Sequence, residues 1–225
     1  MPEATKDESA TSQAPVKRSL RKRSMILSAA MHHFASHGYE AARVGDMASQ
    51  LGIAKGSVFQ HFGSKDGLFL EAYKSALREL PAYLDVPAAV KEAGFFSIVR
   101  YRLSLPAEYW EQFRVAQRIV LLGNYGSDLN LKKRIARFVA TEDPLGTAAL
   151  VKMGMQRGEV RRDIDPMLIT SILECTFERM QDALLSGEQD RSLFQRTDLF
   201  GGNREQLIDQ FVTVLRGAIG CGQPA

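Results

Sequence analysis

The chain reads as all-α: a small N-terminal head of three helices, then a larger helical body, about nine helices in total. Three observations lead there. Apolar residues recur at three- and four-residue steps along most of the chain. No stretch alternates with period two for long enough to form a strand. Pro87, Pro106, Pro144 and Pro166 stand at the starts of helical patterns, where a missing N–H costs nothing.

Residues 1–16 are rich in Ser, Thr, Ala and acid with almost no apolar mass, and are expected to be a disordered tail. A first helix is expected over 19–36, with Ile26, Ala30 and Phe34 on one face and Gly38 at the left-handed C-cap position. Val44, Met47, Ala48 and Leu51 follow at the spacing of one helical face, and Gly52 permits the positive φ of a tight reversal. Ile53, Val58 and Phe62 give a third helix its own buried stripe. That leaves Lys55, Ser57, Gln60 and His61 facing outward. A fourth helix opens at Ser64, a good N-cap, and carries Leu68, Phe69, Ala72, Tyr73, Ala76 and Leu80 until Pro81 ends it. Further helices are expected at about 87–104, 106–123, 128–140, 144–157, 166–186 and 203–219. Gly158 and Gly187 close two of them, and Asn203 with Gln206 forms a capping box. The expected division is a tail at 1–16, a head at 17–64 and a body at 65–225.

With 225 residues, 45% apolar and 24% charged, the composition is that of a globular protein. No apolar run is long enough to span a membrane, and the start lacks the apolar core of a secretory signal, so a cytoplasmic location is expected. Cys175 and Cys221 are far apart and lack metal-ligand spacing, as expected of free thiols in a reducing compartment. The net charge is −2 over 1–16, +5 over 17–80 and 0 over 81–225, and all four histidines fall in the basic segment. Positive charge confined to the stretch holding a short helix pair is the footprint of phosphate binding. The pair itself, one face buried and a short polar face left free, is what a helix-turn-helix reader of DNA requires.

Over residues 19–68 the chain resembles the TetR/AcrR family of bacterial transcriptional regulators. The resemblance is carried by Ile26, Ala29, Ala30 and Phe34, by Gly38-Tyr39, by Asp46-Met47-Ala48, and by Gly52 with Lys55-Gly56. It continues through Val58-Phe59-Gln60-His61-Phe62, Ser64-Lys65 and Leu68. Three departures from it stand out. Ala42-Arg43 and Ala54 stand where relatives place hydroxyl caps, a loss of about 1 kcal/mol each. Phe59 replaces a tyrosine whose hydroxyl touches the DNA backbone, so it either packs on sugar or completes the head's core.

The resemblance implies equilibrium recognition of duplex DNA by a ligand-responsive repressor, with no enzymatic chemistry and no cofactor. Lys55, Ser57, Gln60 and His61 are the candidate readers, Gly56 lets the backbone approach closely, and Phe59 lies among them. Gln60 matches adenine, while Lys55 suits a guanine or a phosphate. Arg43 and Lys65 are candidate phosphate contacts, and Lys17, Arg18, Arg21, Lys22 and Arg23 would neutralise flanking phosphates. It also implies a homodimer through the helices at about 166–186 and 203–219. Their apolar positions are Leu168, Ile172, Phe177 and Leu184, then Leu207, Phe211, Val214 and Leu215. Two heads would reach successive grooves of a palindromic operator about 34–36 Å apart.

A small-molecule effector of unknown identity is expected in the body, where Phe96, Tyr109, Trp110, Phe113, Tyr125, Phe177 and Met180 are candidate lining residues. Each is equally accounted for by core packing. Arg100, Arg102, Arg114 and Arg118 are candidate anion partners or solvated surface. Alternatives are an activator of the same fold, or a membrane- or protein-binding module built on the amphipathic stretch KRSLRKRSMIL. His33 and His37 have metal-ligand spacing, but no third ligand lies nearby in sequence, and no metal is expected.

Overall fold

The computed structural model describes residues 8–82, 85–186 and 204–222. Among them are twelve α-helices and one isolated antiparallel bridge, Val160–Gly220. The head holds α1 (Glu8–Ala41), α2 (Val44–Gln50) and α3 (Lys55–Phe62), and α4 (Lys65–Glu79) leads out of it. The body follows with α5 (Ala88–Glu92), α6 (Phe95–Ser104), α7 (Ala107–Glu111), α8 (Arg114–Tyr125), α9 (Leu129–Glu142), α10 (Thr147–Gln156), α11 (Pro166–Ser186) and α12 (Arg204–Ile219).

The excess over about nine helices has local causes. The helix expected over 87–104 is broken at Gly94, whose φ of 100° no ordinary side chain adopts comfortably. The Glu159 carboxylate fills the space that a Cβ at position 94 would need, and it accepts the Phe95 N–H at 2.7 Å, capping α6. The helix expected over 106–123 breaks at Gln112–Phe113 and resumes to Tyr125. Pro144 stays in a turn rather than opening a helix. Asp143, at φ 40°, ends α9, and its carboxylate accepts the N–H groups of Ala148 (3.2 Å) and Ala149 (2.9 Å) in the first turn of α10.

At the other end, α1 starts at Glu8 instead of near Ser19, so part of the tail expected to be disordered is helical. Its Ala, Glu, Gln, Lys and Arg residues are good helix formers, and extending an existing helix needs no new nucleus. Gly38, at φ 76°, kinks α1 where its C-cap was expected. Asn203 and Gly187 lie outside the described residues.

Two apolar cores form, and they do not divide at residue 64. The first joins the head to the body: Phe34, Met47, Val58, Leu68 and Phe69 pack in one cluster with Ala116, Ile119 and Val120 of α8 and Ile135 of α9. The second gathers Phe95, Ile98 and Leu103 of α6 with Trp110, Leu150, Ile169, Leu173, Phe177, Ile208 and Leu215. Helix α4 therefore belongs to the head's core while running into the body.

Candidate DNA-reading surface and body cavity

The turn between α2 and α3 is closed by Gly52 at φ 63° and by the Ile53 N–H donating to the Ala48 carbonyl at 3.0 Å. Met47 and Ala48 on one helix and Val58 and Phe62 on the other are buried, which fixes which face of α3 remains outside. Lys55, Gly56 and Gln60 are exposed there, with Ser57 and His61 half-buried beside them. No atom lies within 4 Å of where a Cβ on Gly56 would stand, so that backbone faces open space. Phe59 is partly buried and packs against the first core, and the Lys55 ammonium sits 5.6 Å from its ring centre. Phe59 thus completes the head's core.

Arg43 and Ala54 precede α2 and α3 without a side-chain cap, and Arg43 is exposed. Ser64 caps α4 by accepting the Gly67 N–H at 3.0 Å. Lys65 is held in place: its ammonium donates to the Glu40 carbonyl at 3.1 Å and lies 4.7 Å from the Tyr39 ring centre. Tyr39 in turn donates to Asp66 at 2.6 Å. Burial, followed by that carboxylate, pushes its phenol well above the ordinary tyrosine range.

The basic entrance to α1 divides into two groups. Lys17, Arg18 and Arg21 are exposed and Lys22 is half-buried. Arg23 departs from the expected phosphate role: it donates to Glu71 at 2.7 Å and lies over the Phe62 ring at 5.0 Å, tying α1 to α3 and α4. Burial works against ionisation of Glu71, but hydrogen bonds from Lys74 and Arg23 outweigh it and hold the carboxyl below its usual range. His33 is buried against His37, with ring centres 4.3 Å apart. Among the described residues no group of three metal-ligating side chains forms.

In the body, a cavity of about 350 Å³ opens between α4, α8, α9 and α11. Leu77, Val120, Ile135, Val139, Leu145 and Phe177 supply its apolar wall. Its polar groups are Tyr73, Asn124, Glu174, Glu178, Lys132 and Arg102. The Tyr73 hydroxyl donates to Asn124 Oδ1 at 2.7 Å, and Asn124 Nδ2 donates to Glu178 Oε1 at 2.6 Å, so one chain of donors ends on that carboxylate.

Of the aromatic lining expected from sequence, Phe177 reaches this cavity. Phe96 is buried in the second core beneath the Arg216 guanidinium, 4.2 Å from its ring centre. Tyr109, Trp110 and Phe113 pack edge to face on one another, with Trp110 fully buried. Tyr125 is 62% exposed and borders a separate groove beside Tyr39 and Arg118. The Met180 side chain lies outside the described residues. Among the four arginines, Arg102 lines the cavity, Arg100 pairs with Glu205 and Asp209, and Arg114 pairs with Glu111. Sequence reasoning missed Tyr73, Asn124, Glu174 and Glu178. The one available signal was two carboxylates a helical turn apart beside the Leu173–Phe177 stripe of α11.

The model of bacterial regulatory proteins of the tetR family matches residues 26–72. The chain is 27% identical over 184 residues to the HTH-type transcriptional repressor AcnR of Corynebacterium glutamicum, covering 80% of this chain and 90% of that protein. It is 25% identical over 179 residues to the HTH-type transcriptional repressor Rv1474c of Mycobacterium tuberculosis, covering 79% and 90%. Among solved structures, the fold is similar to that of the transcriptional regulator FadR from Bacillus subtilis, in complex with stearoyl-CoA. The TM-score is 0.62 at 18% identity, with 87% of this chain and 98% of that one covered. The fatty acid degradation regulator FadR of Bacillus halodurans gives 0.59 at 15% identity, covering 89% and 99%. The tetR-family match spans α2, α3 and the first two turns of α4, and the similarity to named repressors extends through the body.

Proposed function

We propose that the protein is a ligand-responsive transcriptional repressor that binds a palindromic operator as a homodimer. The observation that carries the reading is α3: its apolar side is locked into the head, and Lys55, Gly56, Ser57, Gln60 and His61 are left on its accessible side. Exposed Arg43, Lys17, Arg18 and Arg21 supply phosphate contacts on either side, with Lys65 at the start of α4. The names of the relatives, repressors in both cases, favour repression over activation.

Dimerisation is supported by apolar side chains on the last two helices that the subunit itself does not cover. Met167, Leu168, Ile172 and Val214 are 53%, 56%, 43% and 72% exposed. Phe177 and Leu215, also on the expected contact stripes, face the subunit's own core instead, and Leu184 lies outside the described residues. A single head reads too few base pairs for useful specificity, and a two-fold pair doubles the site.

Selection of bound fragments from random duplex DNA tests the reading. Two half-sites related by a dyad are expected, with centres one or more helical turns apart. Failure to enrich any duplex in dilute buffer would overturn it. An arm with anionic vesicles examines the exposed Val16 and Leu20 beside the basic entrance. Vesicle binding without DNA binding would make that segment a membrane module.

A further inference from the structure

We infer that the body cavity takes an organic cation with an apolar body, its positive centre held between Glu174 and Glu178. The inference rests on the reading of the body as the effector-binding unit and names the chemical class that this unit accepts. It starts from an imbalance. Two carboxylates stand one turn apart on α11 and both line a cavity whose remaining wall is mostly aliphatic. Among the described residues, neither forms an ion pair.

Among the described residues Glu178 accepts a hydrogen bond from the neutral amide of Asn124, and Asn124 is in turn oriented by the Tyr73 hydroxyl. Both donors in that chain point toward Glu178, which sets its carboxyl as the acceptor at the end of the chain. Both carboxyls are half-buried, and a half-buried carboxylate without a cation is disfavoured, a cost that a cation supplied by a ligand offsets on binding. Burial pushes both carboxyls above the usual range, and Glu178 and Asp143 add repulsion at Glu174. The two basic groups on the wall do not offset this. The Arg102 guanidinium lies over Trp110 at 4.8 Å, and Lys132 forms no ion pair with either carboxylate. The leucine, valine, isoleucine and phenylalanine wall is suited to an alkyl or aryl body, and about 350 Å³ is within the range of small-molecule pockets.

The test uses three probes that share one chain and differ in head group: decyltrimethylammonium, 1-decanol and decanoate, each below its micellar concentration. Binding to the full-length protein is measured by calorimetry. The cation is expected to bind at least tenfold more tightly than the alcohol or the carboxylate. The isosteric double variant Glu174→Gln/Glu178→Gln, checked for native unfolding behaviour, should lose at least tenfold in cation affinity and keep its affinity for decanol. Lys132→Gln should bind the cation at least as well as the parent. Decanoate binding as tightly as the cation, with loss in Lys132→Gln, would make the cavity an anion site and overturn the proposal. So would cation binding that survives in the double variant, or no binding of the cation at all. Operator affinity measured with and without the cation separates the two readings. Cation binding that leaves DNA affinity unchanged would retain the cavity's ligand class and remove its regulatory role.

Discussion

Among the glycines of the head and α4, Gly67 has the least room for a side chain. A Cβ there would stand 2.1 Å from the Phe62 carbonyl oxygen, a backbone atom that has no rotamer by which to retreat. Gly67→Ala should therefore cost about 1–3 kcal/mol, read as a lower urea midpoint. Glu174 behaves differently because its effect depends on pH. Burial first, then the Glu178 and Asp143 charges, push its carboxyl up to about 7. A carboxyl easier to protonate in the folded state takes up protons on folding between its ordinary value and about 7, so its contribution to stability is present at low pH and lost as pH rises through 7. Glu174→Gln should raise the unfolding midpoint at pH 8, by about 1 kcal/mol once its partial exposure is discounted, and leave it nearly unchanged at pH 4. The same proton competes with a cationic ligand, whose affinity should fall as the solution is acidified below 7. On the reading helix, Gln60→Ala should lose affinity at one position of each half-site, by about 1–3 kcal/mol. Arg18→Ala should weaken all sequences alike and reduce the salt slope by about one.

Among the elements, α4 joins the two halves of the mechanism. Its start is capped by Ser64, and its first two turns are fastened to the head by the Lys65–Glu40 bond and the Glu71–Arg23 pair. Its later turns present Tyr73, Leu77 and Leu80 to the cavity. A ligand that changes the spacing of α4, α8 and α11 is therefore expected to act on the base of α3, where Phe62 and Arg23 sit against one another. The Tyr73–Asn124–Glu178 chain is the bonded link among those three helices. Tyr73→Phe keeps the ring and removes the hydroxyl. Operator affinity of the unliganded variant should stay within about twofold, and the drop in affinity caused by ligand should shrink several-fold, as measured by fluorescence anisotropy on a labelled operator. Equal loss with and without ligand would instead assign Tyr73 to head stability. A coupling of about 1–3 kcal/mol is the size expected between such sites.

At the scale of the whole molecule, the proposed dimer would regulate by holding two heads at a defined separation, and the exposed apolar side chains of α11 and α12 are where a second subunit would set it. Leu168→Glu with Val214→Glu places charge on surface that is now 56% and 72% exposed, so the fold itself should be unaffected. Sedimentation should then report half the parental mass, with affinity for a full operator reduced at least tenfold and affinity for a half-site unchanged. An unaltered mass would move the interface elsewhere.

The helix-turn-helix was legible in the sequence because it is local. Spacing at 44–51 and 53–62, with Gly52 between, is sufficient to decide which face is buried, and the side chains proposed to read DNA are those that remain. The all-α class was legible for the same reason. The helix break at Gly94 was not, because Glu159, distant in sequence, fills the space beside it and caps the helix that follows, and the break at Gln112–Phe113 falls on an ordinary dipeptide with no turn residue. The cavity was beyond reach from sequence: aromatic residues were expected to line it, yet Trp110 and Phe96 filled the second core, because large rings gain most when fully enclosed. What was left open lies where four helices from distant stretches fail to meet, lined by a tyrosine, an asparagine and two glutamates whose role no sequence interval encodes. Periodicity along one helix determines a face. Only the packing of several helices determines a void and the charge stranded inside it.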